Sequence, residues 1–270
     1  MATLKINFLS RCLGRQVDFN AIIPSFTTLR GLSEGYDGIY TPCQRFKVLF
    51  LLHGFSGDCN DYLNFTSITR YAEDRKIVVV MPSGFNSGYS DFENGDRVHS
   101  FVAKELVEVC RYMLPISDKR EDTYIAGLSM GAAGAAKLAL AHPETFSEVF
   151  CMSGAPSPIV KTGNRIPLEW FGKDEWAYHG SLQLDPEVYK HSKEDAYYMA
   201  EKNVKDGVEL PRFRFTIGDK DFLIETVDSF YRHLEELGYD VEHELIPGYG
   251  HEWDFWDLKI REAIYSWFTI

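Results

Sequence analysis

Gly127-Leu128-Ser129-Met130-Gly131 brings together residue types that can do nucleophilic chemistry. A serine hydroxyl is a weak nucleophile until a tight turn exposes it and a neighbouring base takes its proton. The run before the motif, Thr123-Tyr124-Ile125-Ala126, is apolar and strand-like, and the stretch after it, Ala132 to His142, is alanine-rich and helical in character. A G-x-S-x-G alone is common by chance, but a strand before it and a helix after it form the context in which such a serine stands at the tip of a strained turn. The flanking glycines let strand, turn and helix crowd together with no Cβ between them.

A nucleophilic serine needs a base, an acid to orient the base, and donors for the oxyanion. On a strand–turn–helix serine the chain order is Ser, then Asp or Glu, then His. The chain has eight histidines, of which His53 precedes Ser129 and so falls in the wrong order. His99, His142, His179, His191 and His233 fall in helical or inserted stretches, and His243 lies within a strand pattern. His251 follows the last strand in Pro247-Gly248-Tyr249-Gly250-His251, where glycines permit a tight loop, and it is the expected base. The acid belongs in Gly218-Asp219-Lys220-Asp221-Phe222-Leu223. Asp221 is the expected triad member, with Asp219 as a turn or capping residue.

His53-Gly54-Phe55-Ser56-Gly57 follows the first strong strand pattern, and a glycine-rich turn there exposes backbone N–H groups. The expected oxyanion donors are the amides of Phe55 and of Met130, the residue after the nucleophile. His53 is expected to brace the loop. His251-Glu252-Trp253-Asp254-Phe255 lacks the second histidine of a zinc-protease H-E-x-x-H, and no phosphate-binding or dinucleotide glycine motif occurs. No metal or organic cofactor is expected.

The elements that must position these residues alternate. Phe46–Leu52, Ile77–Met81, Thr123–Ala126, Glu148–Met152, Arg212–Ile217 and Val241–Ile246 are short apolar runs, each closed by a turn residue or by the serine motif itself, as buried parallel strands are. Between them, Val98, Phe101, Val102, Leu106, Val109 and Met113 share one helical face, and Phe222–Leu237 and Glu252–Phe268 are amphipathic. The alternation predicts one doubly wound α/β domain spanning 1–270. Residues 157–206 exceed what a crossover needs and carry Trp170, Phe171, Trp176, Tyr178, Tyr189, Tyr197 and Tyr198. They are expected to form a small cap whose aromatics, Trp170 and Trp176 first, line a substrate pocket; local packing of short helices is the plainer alternative.

Composition narrows the partners. With 45% hydrophobic residues among 270, the chain can bury a large core, and its net charge of −12 disfavours nucleic acid and anionic membranes. Five scattered cysteines, never in C-x-x-C, suit a reducing compartment, and no signal-peptide or membrane-spanning run occurs, so a cytoplasmic location is expected. The expected partner is a small-molecule ester substrate; assembly into a homo-oligomer stays open.

HGFSG, IVVVMPS, IAGLSMG, IGDKDFL and GYGHEWDFW, in that order, resemble the esterase D group of α/β-hydrolases, nearest its bacterial tributyrin esterase branch. S-formylglutathione hydrolase and the feruloyl and acetyl carbohydrate esterases are more distant kin. The resemblance implies the α/β-hydrolase fold, a mostly parallel central sheet flanked by helices. It implies Ser129 as nucleophile, Asp221 as acid, His251 as base, and Phe55 and Met130 as oxyanion donors. The activity it implies is hydrolysis of short-chain acyl esters through an acyl-enzyme. Two positions depart from the family pattern. Ala132 replaces a second glycine after the elbow, and Gly57 stands where S-formylglutathione hydrolases carry a thiol, with Cys59 two residues later.

Overall fold

The computed structural model describes residues 1–26, 31–33, 35, 43–93, 95–158 and 186–268. The strands are β1 (Ala2–Ser10), β2 (Arg15–Ile23), β3 (Val48–Leu52), β4 (Val78–Pro82), β5 (Thr123–Leu128), β6 (Glu148–Met152), β7 (Arg212–Gly218) and β8 (Val241–Ile246). They form an eight-stranded sheet in the order β1-β2-β4-β3-β5-β6-β7-β8. From β4 to β8 all neighbours are parallel; β1 and β2 form an antiparallel hairpin whose second strand pairs with β4 through Phe19↔Pro82 to Ile22↔Val79. The runs read as strands in the sequence are thus strands, and the hairpin adds an antiparallel edge.

The central strands are buried on both faces, which is why they read as continuous apolar runs rather than as alternating ones. In β3, Val48, Phe50 and Leu52 pack into one core cluster, while Leu49 and Leu51 pack into the other. The first cluster lies under α3 (Leu106–Met113, which continues Val98–Ser100 through a π turn at Phe101–Glu105), α4 (Met130–Ala141), α6 (Ala196–Asp206) and α7 (Ile224–Glu236). The second lies under α2 (Ile68–Arg75) and α8 (Trp253–Trp267), with Tyr62 from the short α1 (Asp61–Phe65). Among the described residues no helix is long and apolar enough to cross a membrane.

Most of the 157–206 stretch, including Trp170 and Trp176, lies outside the described residues. Its C-terminal part is described. After the short α5 (Pro186–Tyr189), helix α6 packs onto the body: Asn203 Nδ2 donates to Leu140 O at the end of α4, and the Tyr239 hydroxyl donates to Ala200 O. Tyr197 packs edge-on against Phe230 and at a tilt against His233 of α7, so this aromatic packs within the fold. Asp195 caps α6 by accepting the Tyr198 amide.

A buried charge network ties the segment before α6 to the helix that follows Ser129. Glu194 and Lys137 pair at 3.0 Å with side chains 2% and 8% exposed. Glu194 also accepts the Asp91 amide and lies 3.1 Å from His99 Nδ1, whose Nε2 meets His142 Nε2 at 3.0 Å. Burial pushes the Glu194 carboxyl up, but Lys137, His99 and the Asp91 amide outweigh it and hold it well below the usual range. Burial holds both imidazoles below the usual histidine value.

Two outcomes follow for stability. Removing one partner of a buried pair strands the other charge, so Glu194→Gln is expected to cost about 3–5 kcal/mol in urea unfolding at pH 7. For the pH dependence, an unfolded imidazole takes a proton below about 6.5 that the folded His99 and His142 resist, so stability falls as pH drops below that value. Glu194 adds a further loss below about 4.3, where the unfolded carboxylate protonates and the folded one does not. Urea midpoints that stay constant from pH 7 to 4 would contradict this account.

Candidate active site

The candidate residues lie in loops at the carboxyl ends of the parallel strands. From β3 the chain moves outward to β4, then returns to the other side of β3 as β5, so the order in which strands are added reverses at β3 while all three stay parallel. Ligands of open α/β sheets bind at such a switch point, where the loops leaving neighbouring strands diverge. Here those loops are His53–Gly57 and the Ser129 turn.

Ser129 lies between β5 and α4 with φ +52° and ψ −118°, a conformation that costs a non-glycine residue about 1–3 kcal/mol and marks functional turns. Close packing sustains it. A Cβ on Gly131 would stand 2.3 Å from Leu52 O and 2.5 Å from His53 O, and one on Gly127 would stand 2.3 Å from Gly131 O. Only glycine fits either place. The Ser129 amide donates to Met152 O at 2.9 Å, and Ser129 O accepts the amides of Ala132 and Ala133. Met130 opens α4, so its N–H is one of the first-turn amides that a helix leaves without an acceptor of its own. Ala132 is fully buried in the core under α4, where a methyl adds packing that a glycine lacks.

Asp221 and His251 meet directly: His251 Nδ1 lies 2.9 Å from Asp221 Oδ2. The carboxylate can only accept, so Nδ1 carries the proton and Nε2 keeps its lone pair, the tautomer a general base needs. The Asp221 side chain is completely buried and that of His251 is 20% exposed. Burial pushes the Asp221 carboxyl up; the hydrogen bond and charge of His251, the Leu223 amide and the Ser153 hydroxyl outweigh it, and the net shift is downward. Asp221 therefore stays ionised across the neutral range. The imidazole sits between two rings, the exposed Phe222 at 4.8 Å and the buried Trp256 at 4.9 Å between centroids.

The loops carrying the two residues are joined by their backbones. The Lys220 amide donates to Tyr249 O, and Asp219 Oδ1 accepts the Gly248 amide at 2.8 Å. Asp219 thus holds the turn that presents His251 and makes no contact with the imidazole among the hydrogen bonds of the described residues. A further turn touches both halves of the site. Ser153, at φ +51°, is buried beside Asp221 without a hydrogen bond of normal geometry, and a Cβ on the next residue, Gly154, would stand 2.3 Å from Ser129 O. The Ser153–Gly154 turn is wedged between the Ser129 turn and Asp221. No sequence motif marked it; the only signal was a glycine closing the β6 run.

The Phe55 loop is braced from below. His53 is buried; its Nδ1 donates to Gly54 O at 2.7 Å, and its Nε2 accepts the Gly84 amide at 2.8 Å. Those partners require the neutral imidazole, and burial lowers its proton affinity to match. The bonded carbonyl belongs to the same peptide group as the Phe55 N–H, so His53 fixes the plane from which that donor projects. The Tyr89 hydroxyl donates to His53 O and the Tyr62 hydroxyl to Leu52 O. Among the described residues no cluster of His, Cys, Asp and Glu is arranged to hold a metal ion.

The sheet, the switch point, a strained serine turn after β5 and a buried Asp–His pair on the loops after β7 and β8 define an α/β-hydrolase. The chain belongs to the esterase family described as "Putative esterase", whose model matches residues 34–219. It is 30% identical over 271 residues to an acetyl esterase of Caldicellulosiruptor saccharolyticus, covering 100% of this chain and 98% of that protein. Among solved structures it is similar to FphF, a fluorophosphonate-binding serine hydrolase of Staphylococcus aureus, with TM-score 0.81 and 28% identity over 100% of this chain and 99% of that one. An S-formylglutathione hydrolase of the same organism, FrmB, gives TM-score 0.79 and 26% identity over 99% of each chain. The protein is a carboxylic ester hydrolase.

Because Gly154 has no room for a side chain against Ser129 O, Gly154→Ala is expected to disturb the elbow. Its kcat on p-nitrophenyl acetate should fall at least ~10-fold, a loss of ~1.4 kcal/mol in transition-state stabilisation. A variant as active and as stable as the parent would show that the turn does not hold the serine.

Proposed function

We propose that the chain is a serine carboxylesterase acting on short-chain acyl esters through a Ser129–His251–Asp221 triad. The hydrogen bond from His251 to the buried Asp221, made by residues whose loops leave the same sheet edge as the strained Ser129 turn, carries the reading. Ser129 attacks the ester carbonyl, and His251 Nε2 takes the hydroxyl proton and hands it to the leaving alcohol. Asp221 holds the imidazole tautomer and stabilises its cation. The Phe55 and Met130 amides receive the oxyanion. Water activated by His251 then releases the acid, and no step requires a metal or an organic cofactor.

A short acyl group is supported by the relative named acetyl esterase. Trp170 and Trp176, outside the described residues, are proposed as pocket walls on the strength of the sequence, within a cap on a single domain. The five free cysteines fit a cytoplasmic enzyme. Hydrolysis of acetyl or feruloyl groups on plant-derived sugars is the second reading; the relative's name fits the acetyl group and leaves the alcohol unspecified. A thioesterase of the S-formylglutathione type has less support. A Cβ on Gly57 would stand 2.0 Å from Asp61 Oδ2, so the carboxylate occupies the place a thiol side chain would need. Cys59 is buried, and burial raises its thiol pKa above the usual value.

Ser129→Ala should lose about 10⁶-fold in kcat on p-nitrophenyl acetate and cease to be labelled by a fluorophosphonate. Asp221→Asn should lose up to about 10⁴-fold, because an amide favours the wrong tautomer, while Asp219→Asn should be far milder. The reverse ranking of the two aspartates would move the acid role to Asp219. On a p-nitrophenyl ester series, activity should peak between acetyl and butyryl, each accommodated methylene adding at most about 0.8 kcal/mol. Turnover of an acetylated xylo-oligosaccharide well above that of p-nitrophenyl acetate would favour the second reading, and a rate rising through decanoyl would refute the short-chain assignment.

A further inference from the structure

The loop after β4 makes a set of contacts that the triad and its donors do not account for. It runs over Ser83-Gly84-Phe85-Asn86-Ser87-Gly88-Tyr89-Ser90 and lies against the Phe55 loop along its length. Ser83 Oγ accepts the Cys59 amide, the Gly84 amide donates to His53, and the Tyr89 hydroxyl donates to His53 O. Asn86 is the residue that reaches past Phe55: its Oδ1 accepts the Ser56 amide at 2.7 Å. Ser56 is in the left-handed region, φ +64°, where a side chain is disfavoured. Asn86 is itself presented by a constrained turn. Phe85 and Tyr89 on either side have φ +54° and +53°. Arg15 stacks over the Phe85 ring at 4.6 Å and is fixed by a two-pronged bond to Asp96, 2.7 Å on each arm.

We propose that Asn86 is a positioning residue for the oxyanion site. This rests on the reading that the Phe55 and Met130 amides receive the oxyanion. The Gly54–Phe55 peptide group is held at its carbonyl by His53, and the next peptide group, Phe55–Ser56, is held at its N–H by Asn86. With both neighbouring planes pinned, the Phe55 N–H has one direction. Without Asn86, Ser56 is free to relax out of its left-handed conformation, and the rotation passes directly into the plane that carries the donor. An oxyanion donor acts through alignment with a charge that appears only in the transition state, so the loss should fall on kcat and spare KM.

The test compares Asn86→Ala, Ser56→Gly and the double variant with the parent. It measures kcat and KM on p-nitrophenyl acetate, the inhibition constant of an aryl trifluoromethyl ketone, and the thermal midpoint. The ketone forms a tetrahedral adduct and reads the oxyanion site directly. Asn86→Ala is expected to lower kcat about 10-fold, part of the 10²–10³ that a whole donor supplies, and to weaken the ketone by a similar factor with KM nearly unchanged. Glycine adopts φ +64° without strain, so the same Asn86→Ala change should cost much less, about 2- to 3-fold, when made in Ser56→Gly. Overturning results are parental kcat and ketone affinity in Asn86→Ala, an equal loss in both backgrounds, or a loss of activity that tracks only the thermal midpoint. Ser129→Ala serves to separate the two claims. If it still binds the ketone as an adduct, the triad reading falls and this proposal with it; if Ser129 is required and Asn86→Ala binds the ketone as the parent does, this proposal alone falls.

Discussion

The site depends on one constraint: Ser129 must be held in a backbone conformation that it would leave if free. An isolated chain would relax the turn, because a left-handed φ on a residue with a Cβ is costly. The fold holds it by removing the space to relax. Gly131 lies against the carbonyls that end β3, Gly127 against Gly131, and Gly154 against the carbonyl of Ser129 itself. The amide of Ser129 is held by the last carbonyl of β6. Three adjacent strands, β3, β5 and β6, therefore share the work, and their parallel register, Leu52↔Gly127 and Leu128↔Met152, brings their ends level.

The same register explains how the other functions are distributed. Each strand end at that edge contributes one part: the Phe55 loop after β3, its brace after β4, the serine turn after β5, the Ser153–Gly154 wedge after β6, Asp221 after β7 and His251 after β8. A parallel sheet makes this possible because every strand delivers its loop to the same side, with each neighbour about 4.8 Å away. The loops carrying Asp221 and His251 are then joined through Lys220, Tyr249, Asp219 and Gly248 before those two residues meet. Asp219, close in sequence to Asp221 and identical in chemistry, serves this joining.

The two imidazoles of the site are each fixed by the donor or acceptor character of their partners. His53 is neutral because its two partners, a carbonyl and an amide, require one donor and one acceptor. His251 is held in one tautomer because its partner is a carboxylate. Lys137 and Glu194 are the opposite case, a buried salt bridge in which burial lowers the proton affinity of Lys137 while its partners hold Glu194 ionised, and it ties the segment before α6 to the helix that follows Ser129. Such a pair is weak support for stability taken alone but strongly opposes any rearrangement that would separate its members.

The sequence by itself determined the parts whose chemistry is local. G-x-S-x-G between a strand and a helix, glycines at the ends of apolar runs, and a histidine in a glycine loop after the last strand are short-range signals, because close backbone approach and tight turns select residue types within a few positions. The strand runs, the doubly wound class and the expectation of an aspartate after β7 partnering His251 follow from such signals and from chain order. Tertiary structure alone decided what depends on residues meeting across the sheet. Asn86, Tyr89 and Ser153 belong to no motif. An asparagine that accepts an amide 30 residues away and a serine buried beside a carboxylate look, in sequence, like any loop asparagine or serine. Which of Asp219 and Asp221 hydrogen-bonds His251 depends on side-chain direction within one loop, and the place of the β1–β2 hairpin on its register with β4. A hydrogen bond or a close contact between distant segments leaves no periodicity and demands no special residue type, so only the packed chain reveals it.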